Sequence, residues 1–171
     1  NKTMKVLGLS VLEQRLQHDL SIISYPQNEW VPERFTKEGE RILDVLIVGA
    51  GQGGLAIAFQ LMRERVNNVL VIDKAEPGTE GPWINYARMP ILRSPKEVNG
   101  PDLNIPSLSF QAWYEAQFGA SSWESMGKIP TKMWMGYLVW YRSILKLPVE
   151  NRVRLDSFEP YEDIQKVTLR C

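Results

Sequence analysis

Three glycines with the spacing G-x-G-x-x-G follow directly after a short apolar segment, and this pattern constrains the fold more than any other feature of the chain. The apolar segment, Val45–Val48, predicts a buried parallel strand, and the glycines are Gly49, Gly51 and Gly54. An apolar helical pattern begins at once after them, and the apolar residues 69–72 predict a second strand. The predicted order of strand, tight turn, helix and strand is typical of a βαβ unit.

Each glycine has a separate physical task in such a unit. Gly49 allows the tight turn, Gly51 lets the backbone approach a phosphate group, and Gly54 lets the helix pack closely on the strand. We expect the amide groups near Gly51, Gln52 and Gly53 to point toward an anion at the positive end of the helix dipole. The turn therefore predicts a pyrophosphate-binding site.

An acidic residue ends the second predicted strand. Asp73 lies nineteen residues after Gly54, where a carboxylate can accept hydrogen bonds from both hydroxyls of an adenosine ribose. The same carboxylate would repel a 2′-phosphate, so we expect the site to hold FAD or NAD rather than NADP. The agreement of strand, helix and acid favours a dinucleotide site over an ordinary strand-to-helix connection.

Length, charge and cysteine content exclude several classes of protein. With 171 residues the chain can form one domain with a sizeable core, but not two dinucleotide-binding domains. Twenty basic and twenty acidic residues balance without long runs of either sign, which argues against nucleic-acid binding and against an anionic membrane surface. The single cysteine, Cys171, allows neither a disulfide framework nor a clustered zinc site and suits a reducing cytoplasm. The first apolar stretch is too short for a secretory segment or a membrane span.

Two regions are predicted, namely an N-terminal helical arm with a connector over residues 1–40 and the nucleotide-binding domain over residues 41–171. Residues 25–41 contain prolines and a glycine and predict the extended connector. His18 is the only histidine and is expected at the surface or in helix packing rather than as a ligand. Within residues 9–24, an apolar stripe at helical spacing predicts a helix that packs on the domain through Leu12, Leu16, Leu20 and Ile23.

A long irregular segment, residues 74–108, follows the βαβ unit and contains six prolines. Its many apolar and aromatic side chains argue against disorder, because too much apolar surface would stay in water. Loops of this length in a compact domain are often functional. We therefore expect an ordered loop that lies over the nucleotide site.

The remainder of the chain predicts two helices and a hairpin. The helices are expected over residues 109–119 and 131–146, with Ser109 and Thr131 as N-caps. The second helix presents an apolar face that is more typical of a core than of a cofactor contact, formed by Trp134, Leu138, Tyr141 and Leu145. Residues 152–158 and 164–170 alternate apolar and polar side chains and predict an antiparallel pair of strands.

The segments GAGQGGLAIAFQL and VIDKAEPGTEGPW resemble the N-terminal part of two-domain flavoprotein monooxygenases, a group that includes Baeyer-Villiger and N-hydroxylating enzymes. In that group an FAD fingerprint and a ribose-binding acid precede a G-G-x-W-like segment that packs near the flavin. Glu80 stands here in place of a second glycine, and Pro82 is a further departure. The matching positions are Gly49, Gly51, Gly54, Asp73, Gly81 and Trp83.

The resemblance implies an α/β fold, namely a Rossmann-like FAD-binding domain of three layers with a parallel sheet and a β-meander, which is incomplete in this chain. It implies an FAD-dependent oxidoreductase that also uses NADPH, bound mainly by a missing part, and oxidises a small organic substrate. The implied partner is the remaining C-terminal polypeptide, without which activity is not expected. Together, the glycine pattern and the resemblance predict the cofactor-binding residues Gly49, Gly51, Gln52, Gly53, Gly54, Asp73, Lys74, Gly81, Trp83 and Arg93.

The long loop offers further candidates near the flavin. Trp83 and Tyr86 either form a dry wall beside the cofactor or simply pack in the core. Three cations can stabilise an anionic group, although exposed loop charges explain Arg88 and Lys96 at least as well. Arg93 is preferred because it lies between apolar Leu92 and a Ser-Pro turn, where a buried guanidinium would need an anionic or carbonyl partner. No general acid or base is assigned.

Three other classes of protein share parts of this pattern. Flavin disulfide reductases have the same fingerprint but need a redox cysteine pair, and residues 74–170 contain no cysteine. An NAD-dependent dehydrogenase with a single Rossmann domain predicts continued βαβ alternation after Asp73, in place of the long loop, helices and hairpin. A non-catalytic nucleotide-binding remnant remains open, because its site residues would look the same.

Overall fold

The parallel sheet is the centre of the fold. The computed structural model describes residues 2–86 and 88–171, and their side chains from Gly8 onward. In these ranges, three strands form one parallel sheet in the order β1 (Val45–Val48), β2 (Val69–Asp73) and β3 (Val149–Asn151). The predicted β1 and β2 are confirmed, whereas β3 was not predicted.

The central strand β2 (Val69–Asp73) is buried on both faces, as its continuous apolar sequence indicates. Helix α2 (Gln52–Arg63) connects β1 with β2 and buries the face that carries Leu55, Ala58 and Phe59. The predicted βαβ unit is therefore present, with the glycine turn at the carboxyl end of β1.

The N-terminal helix, α1 (Lys2–Ile22), packs against α3 (Phe110–Phe118). The contact is close, because a Cβ placed on Gly8 would lie 1.8 Å from the carbonyl oxygen of Ala116. Leu12 and Leu16 of the predicted stripe are buried. Ile23 is not, because the helix ends one residue before it and leaves its side chain 41% exposed.

The remaining helices are α4 (Ala120–Ser125) and α5 (Thr131–Ile144). The Ser109 hydroxyl accepts from the Ala112 amide, so the predicted cap of α3 is confirmed. Thr131 is not the cap of α5, because Pro130 occupies that position. Helix α4 was not predicted, since its six residues are too few to show a helical period.

Helix α5 holds the described part of the long loop through two side-chain hydrogen bonds. The hydroxyl of Tyr137 donates to the Leu108 carbonyl at 2.6 Å, and that of Tyr141 donates to the Pro101 carbonyl at 2.7 Å. Burial raises the pKa of both phenols well above the ordinary range, so both keep the proton that they donate. A short 3₁₀ helix, Pro106–Leu108, ends the loop.

The chain closes with the predicted antiparallel hairpin of β4 (Arg154–Tyr161) and β5 (Ile164–Arg170). The unpredicted β3 before it is parallel to β2, so the βαβ alternation does continue after Asp73. The expectation that it stops there, which was used against a dehydrogenase, is therefore wrong. Three residues with one apolar side chain give too little periodicity to reveal such a strand. No helix in the described part of the chain could span a membrane.

We expect Tyr141→Phe to lower the free energy of unfolding by about 1–2 kcal/mol, because the buried Pro101 carbonyl loses its donor. Denaturant unfolding followed by tryptophan fluorescence measures the change. Tyr161→Phe is the matched control, because Tyr161 is 52% exposed and its loss of a hydroxyl should change stability by less than about 0.5 kcal/mol. Equal effects of the two substitutions would contradict the role given to Tyr141.

Candidate dinucleotide-binding site

Two of the three fingerprint glycines are required by the backbone geometry of the turn. Gly49 has a φ angle of 107°, a conformation that side chains rarely adopt. A Cβ placed on Gly54 would lie 1.8 Å from the carbonyl oxygen of Gly49, closer than any real contact. These are the conformational roles expected from the sequence, and they bring the start of α2 against the end of β1.

The third glycine faces the long loop. Gly51 is extended and precedes the first residue of α2. A Cβ placed on it would lie 3.7 Å from the Cα of Gly81, which itself has a φ angle of 72°. The Gly81 backbone therefore passes directly over the turn, and a side chain at Gly51 would fill the space between them.

The positive end of the α2 helix dipole lies beside the glycine turn and has no side-chain partner. No side chain caps the helix, and its first turn holds no acidic residue. Gln52 and Gly53 are the first two helical residues, and the first amides of a helix have no intrahelical acceptor. Such an end favours an anion, and a phosphate group suits it.

Asp73 is held at the base of the turn by backbone donors. One carboxylate oxygen accepts from the Ala50 amide at 2.7 Å, and the other accepts from the Ala75 amide at 2.8 Å. Each carboxylate oxygen has room for about one more hydrogen bond. The half-buried Asp73 is thus fixed in orientation and still able to accept from two hydroxyls of a ligand.

Trp83 contributes an unpaired donor on the other side of the turn. Its indole nitrogen is buried without a hydrogen-bond partner among the described residues. That nitrogen lies 3.2 Å from the position that a Cβ of Gly81 would occupy. A buried donor without a partner costs about 1–3 kcal/mol. The unpaired donor beside a helix start therefore fits a ligand that brings acceptor oxygens.

Lys74 directly follows the ribose acid and is exposed. It lines an open cavity of about 430 Å³ together with three arginines, each of which is paired with a carboxylate. One of them, Arg152, is held by Glu76 in a bidentate ion pair, which lowers the pKa of Glu76. The other lining residues include Tyr86, Arg154 and Arg170.

Of the three loop cations, Arg93 does not have the surroundings that the sequence led us to expect. Arg93 is exposed, so the predicted burial of its guanidinium is wrong. The neighbouring Leu92 does turn inward, but local apolar sequence does not fix the direction of the next side chain. Lys96 donates to the carbonyl oxygens of Trp123 and Met126 at the end of α4, where a cation complements the helix dipole. Arg88 is exposed.

Sequence reasoning missed two residues at the site. Trp134 was assigned to the core and is buried, but its indole nitrogen also donates to Gln52 at 3.3 Å and its ring meets that of Trp83 edge-on. Nothing in a helical stripe distinguishes this residue from its core neighbours. Glu80 is buried to 3% exposure and is bound by Arg142 at 2.8 Å. Its only signal in the sequence was its replacement of a glycine in the resemblance.

The site is built from glycines, amides and indoles rather than from metal ligands. In the described ranges, no group of three or more His, Cys, Asp or Glu side chains is placed to hold a metal ion. His18 is exposed on α1.

Comparisons with known proteins agree with this geometry. The pattern of a protein family described as FAD-NAD(P)-binding matches residues 46–163. The FAD-dependent urate hydroxylase of Xanthomonas campestris pv. campestris is 52% identical over 154 residues, which are 90% of this chain and 32% of that protein. The FAD-binding monooxygenase andJ of Emericella variicolor is 33% identical over 99 residues, which are 43% of this chain and 16% of that protein.

A solved structure confirms the Rossmann-like α/β fold. A mutant flavin monooxygenase from Stenotrophomonas maltophilia superposes with a TM-score of 0.58 at 23% identity, over 75% of this chain and 34% of that chain. The chain therefore spans about a third of the length of the urate hydroxylase and of this structure.

Gly54→Ala should destabilise the protein by roughly 3 kcal/mol, because the added methyl group overlaps the Gly49 carbonyl and forces α2 away from the turn. Gly53→Ala is the matched control, since a Cβ there meets nothing within 4 Å. We expect the control to be neutral or to gain up to about 1 kcal/mol from helix propensity. Both are measured by denaturant unfolding without added nucleotide, and similar losses in the two variants would refute the close contact.

Proposed function

The chain belongs to the FAD-NAD(P)-binding family, and on this premise we propose that it is the FAD-binding portion of an NAD(P)H-dependent flavoprotein monooxygenase that acts on a small organic substrate. The observation that carries the proposal is the unpaired Trp83 indole nitrogen beside the uncapped start of α2. An unpaired donor and an uncapped helix start in the same neighbourhood suit a diphosphate. The names of both relatives support FAD as the nucleotide that contains it.

We propose one orientation for FAD across the turn. Its pyrophosphate would lie between the amides of Gly51, Gln52 and Gly53 and the indole of Trp83, with the adenosine ribose on Asp73. The adenosine end would then reach the cavity beside Lys74, which is open enough to admit it. Arg93 is kept as a weaker candidate, because its side chain is exposed and free to turn toward a ligand.

The residues present would bind and orient the nucleotide rather than transfer protons. When bound, the flavin supplies hydride acceptance and reaction with oxygen. Trp83 and Trp134 meet at a centroid distance of 6.2 Å and form an apolar wall on the loop side of the turn. Such a wall excludes water from the neighbourhood of the cofactor.

We further propose that an additional polypeptide, the remaining C-terminal part, completes the flavin site and binds most of the NADPH. Among the described strands, β1 has a neighbour on one side only. Val48 on this strand is 58% exposed and Ile57 on the adjoining α2 is 53% exposed. An open strand edge beside exposed apolar side chains suits a further parallel strand. The greater length of the relatives is consistent with such a segment.

Urate is the first substrate to test. The relative that shares 52% identity over 90% of this chain is described as a urate hydroxylase. The alternatives are a single-domain NAD-dependent dehydrogenase and a non-catalytic nucleotide-binding remnant.

We expect the natively purified protein, together with any copurifying polypeptide, to be yellow and to release FAD on denaturation. The visible absorption spectrum and chromatography of the released nucleotide measure this. A colourless preparation that binds NAD but not added FAD would overturn the flavoprotein proposal and favour the dehydrogenase.

With FAD bound, urate should accelerate the oxidation of NAD(P)H and the consumption of oxygen by the full natural protein. A purine that lacks an oxidisable position serves as the control, and rates are followed at 340 nm and with an oxygen electrode. FAD binding without any urate-dependent rate would reject urate and leave the flavoprotein proposal intact. The absence of NAD(P)H oxidation with every substrate would favour the remnant.

A further inference from the structure

We call residues Gly78–Trp83, which include the backbone over the glycine turn, the covering segment. Its one acidic residue, Glu80, is buried. Its carboxylate has three donors. Arg142 of α5 binds one oxygen at 2.8 Å and Asn151 of β3 binds the same oxygen at 2.6 Å, while the Gly78 amide binds the other at 2.8 Å. The carboxylate therefore ties the covering segment to two other elements of the fold.

Both side chains that bind Glu80 form further hydrogen bonds of their own. Arg142 also donates to the Val149 carbonyl at 3.3 Å, and Asn151 also donates to the Ala75 carbonyl at 3.0 Å. Arg142 and Asn151 are thus themselves held in place, and they hold Glu80. Buried charge pairs that are fully hydrogen-bonded resist displacement, because removing one partner leaves an uncompensated charge.

The residue after this anchor covers the glycine turn. Gly81 passes over Gly51 with 3.7 Å between its Cα and the Cβ position of Gly51, and two residues later Trp83 carries the unpaired indole nitrogen. Two residues therefore separate the anchored carboxylate of Glu80 from Trp83. A shift of Glu80 would move Trp83 with it.

On the basis of the proposed FAD binding, we infer that Glu80 is a positioning residue that sets the affinity for the dinucleotide by holding Trp83 over the start of α2. It does not touch the nucleotide itself. In the G-G-x-W pattern a flexible glycine stands at the position of Glu80. Here a side chain at that position forms hydrogen bonds that hold the segment in place. The covering segment is then fixed before the ligand arrives, which lowers the entropic cost of binding.

The test is a double-mutant cycle on the dissociation constant for FAD, made with the full natural protein stripped of flavin. Glu80→Gln should weaken FAD binding about tenfold, because the neutral amide loses the ion pair with Arg142 and keeps only one acceptor oxygen for three donors. Trp83→Phe should weaken binding by a similar factor, because it removes a donor to the diphosphate. If Glu80 acts through Trp83, Glu80→Gln should weaken binding by twofold or less in the Trp83→Phe background. Quenching of flavin fluorescence gives the constants, at a temperature well below unfolding of each variant.

Glu33→Gln is the matched control. It removes an acid–arginine pair, Glu33–Arg41, that is exposed, with side chains 57% and 45% accessible, and that lies outside the residues named for the site. We expect less than a twofold change in FAD affinity. If Glu80→Gln does not fold, Arg142→Gln is the second variant, because it weakens the Arg142–Glu80 ion pair at its more exposed partner. It should lower the affinity for FAD about threefold to fivefold.

The outcomes separate the two proposals. If the wild-type protein does not bind FAD, the proposed function fails and this inference falls with it. If the wild type binds FAD and Glu80→Gln binds equally well, or the effects of Glu80→Gln and Trp83→Phe multiply, the inference alone is overturned. Coupled losses with an unchanged control support it.

Discussion

The nucleotide site depends on one close backbone contact, the approach of Gly54 to the carbonyl oxygen of Gly49. Because no Cβ separates them, α2 begins directly at the carboxyl end of β1 and its dipole points into the turn. Asp73 then fixes the turn from the neighbouring strand, through the Ala50 amide. The parallel pairing of β1 and β2 places Asp73 at the same carboxyl end of the sheet, so the start of α2 and the acid meet at the turn.

Helix α5 supplies the second half of the site. Tyr137 and Tyr141 donate hydrogen bonds to the end of the long loop, and Arg142 binds Glu80. Trp134 contacts both Gln52 and Trp83. Each such hydrogen bond contributes only about 1 kcal/mol net. Their common origin on one rigid helix matters more than their sum, because the loop cannot shift at one point without breaking contacts at another. Helix α5 thus fixes the position of the proline-rich loop beside the site.

The parts of the fold that could be predicted from the sequence are those written in local patterns. The βαβ unit and the hairpin follow from the period of apolar residues and from the glycine spacing. Strand β3 does not, because three residues gain their strand conformation from pairing with β2 rather than from their own sequence. Arg93 shows the same limit at the level of a side chain, since its neighbours in sequence suggested burial and the tertiary structure exposes it. Trp134 was assigned to the core correctly, but its contact with Gln52 depends on how α5 packs.

Asp73 and Glu80, the two acids at the site, have different hydrogen-bond partners, and electrostatics explains the difference. Asp73 has only neutral backbone donors, and under the proposed function its carboxylate accepts from hydroxyl groups of the ligand. Glu80 lies one residue from the backbone that covers the turn, where an unpaired buried carboxylate would repel a diphosphate. Arg142 offsets that charge at 2.8 Å, so the anchor adds rigidity without adding net negative charge. A glycine at this position would avoid the repulsion but leave the covering segment free to move. The acid and its arginine therefore act as a unit, and replacing either alone disturbs both the position and the charge of the segment above the turn.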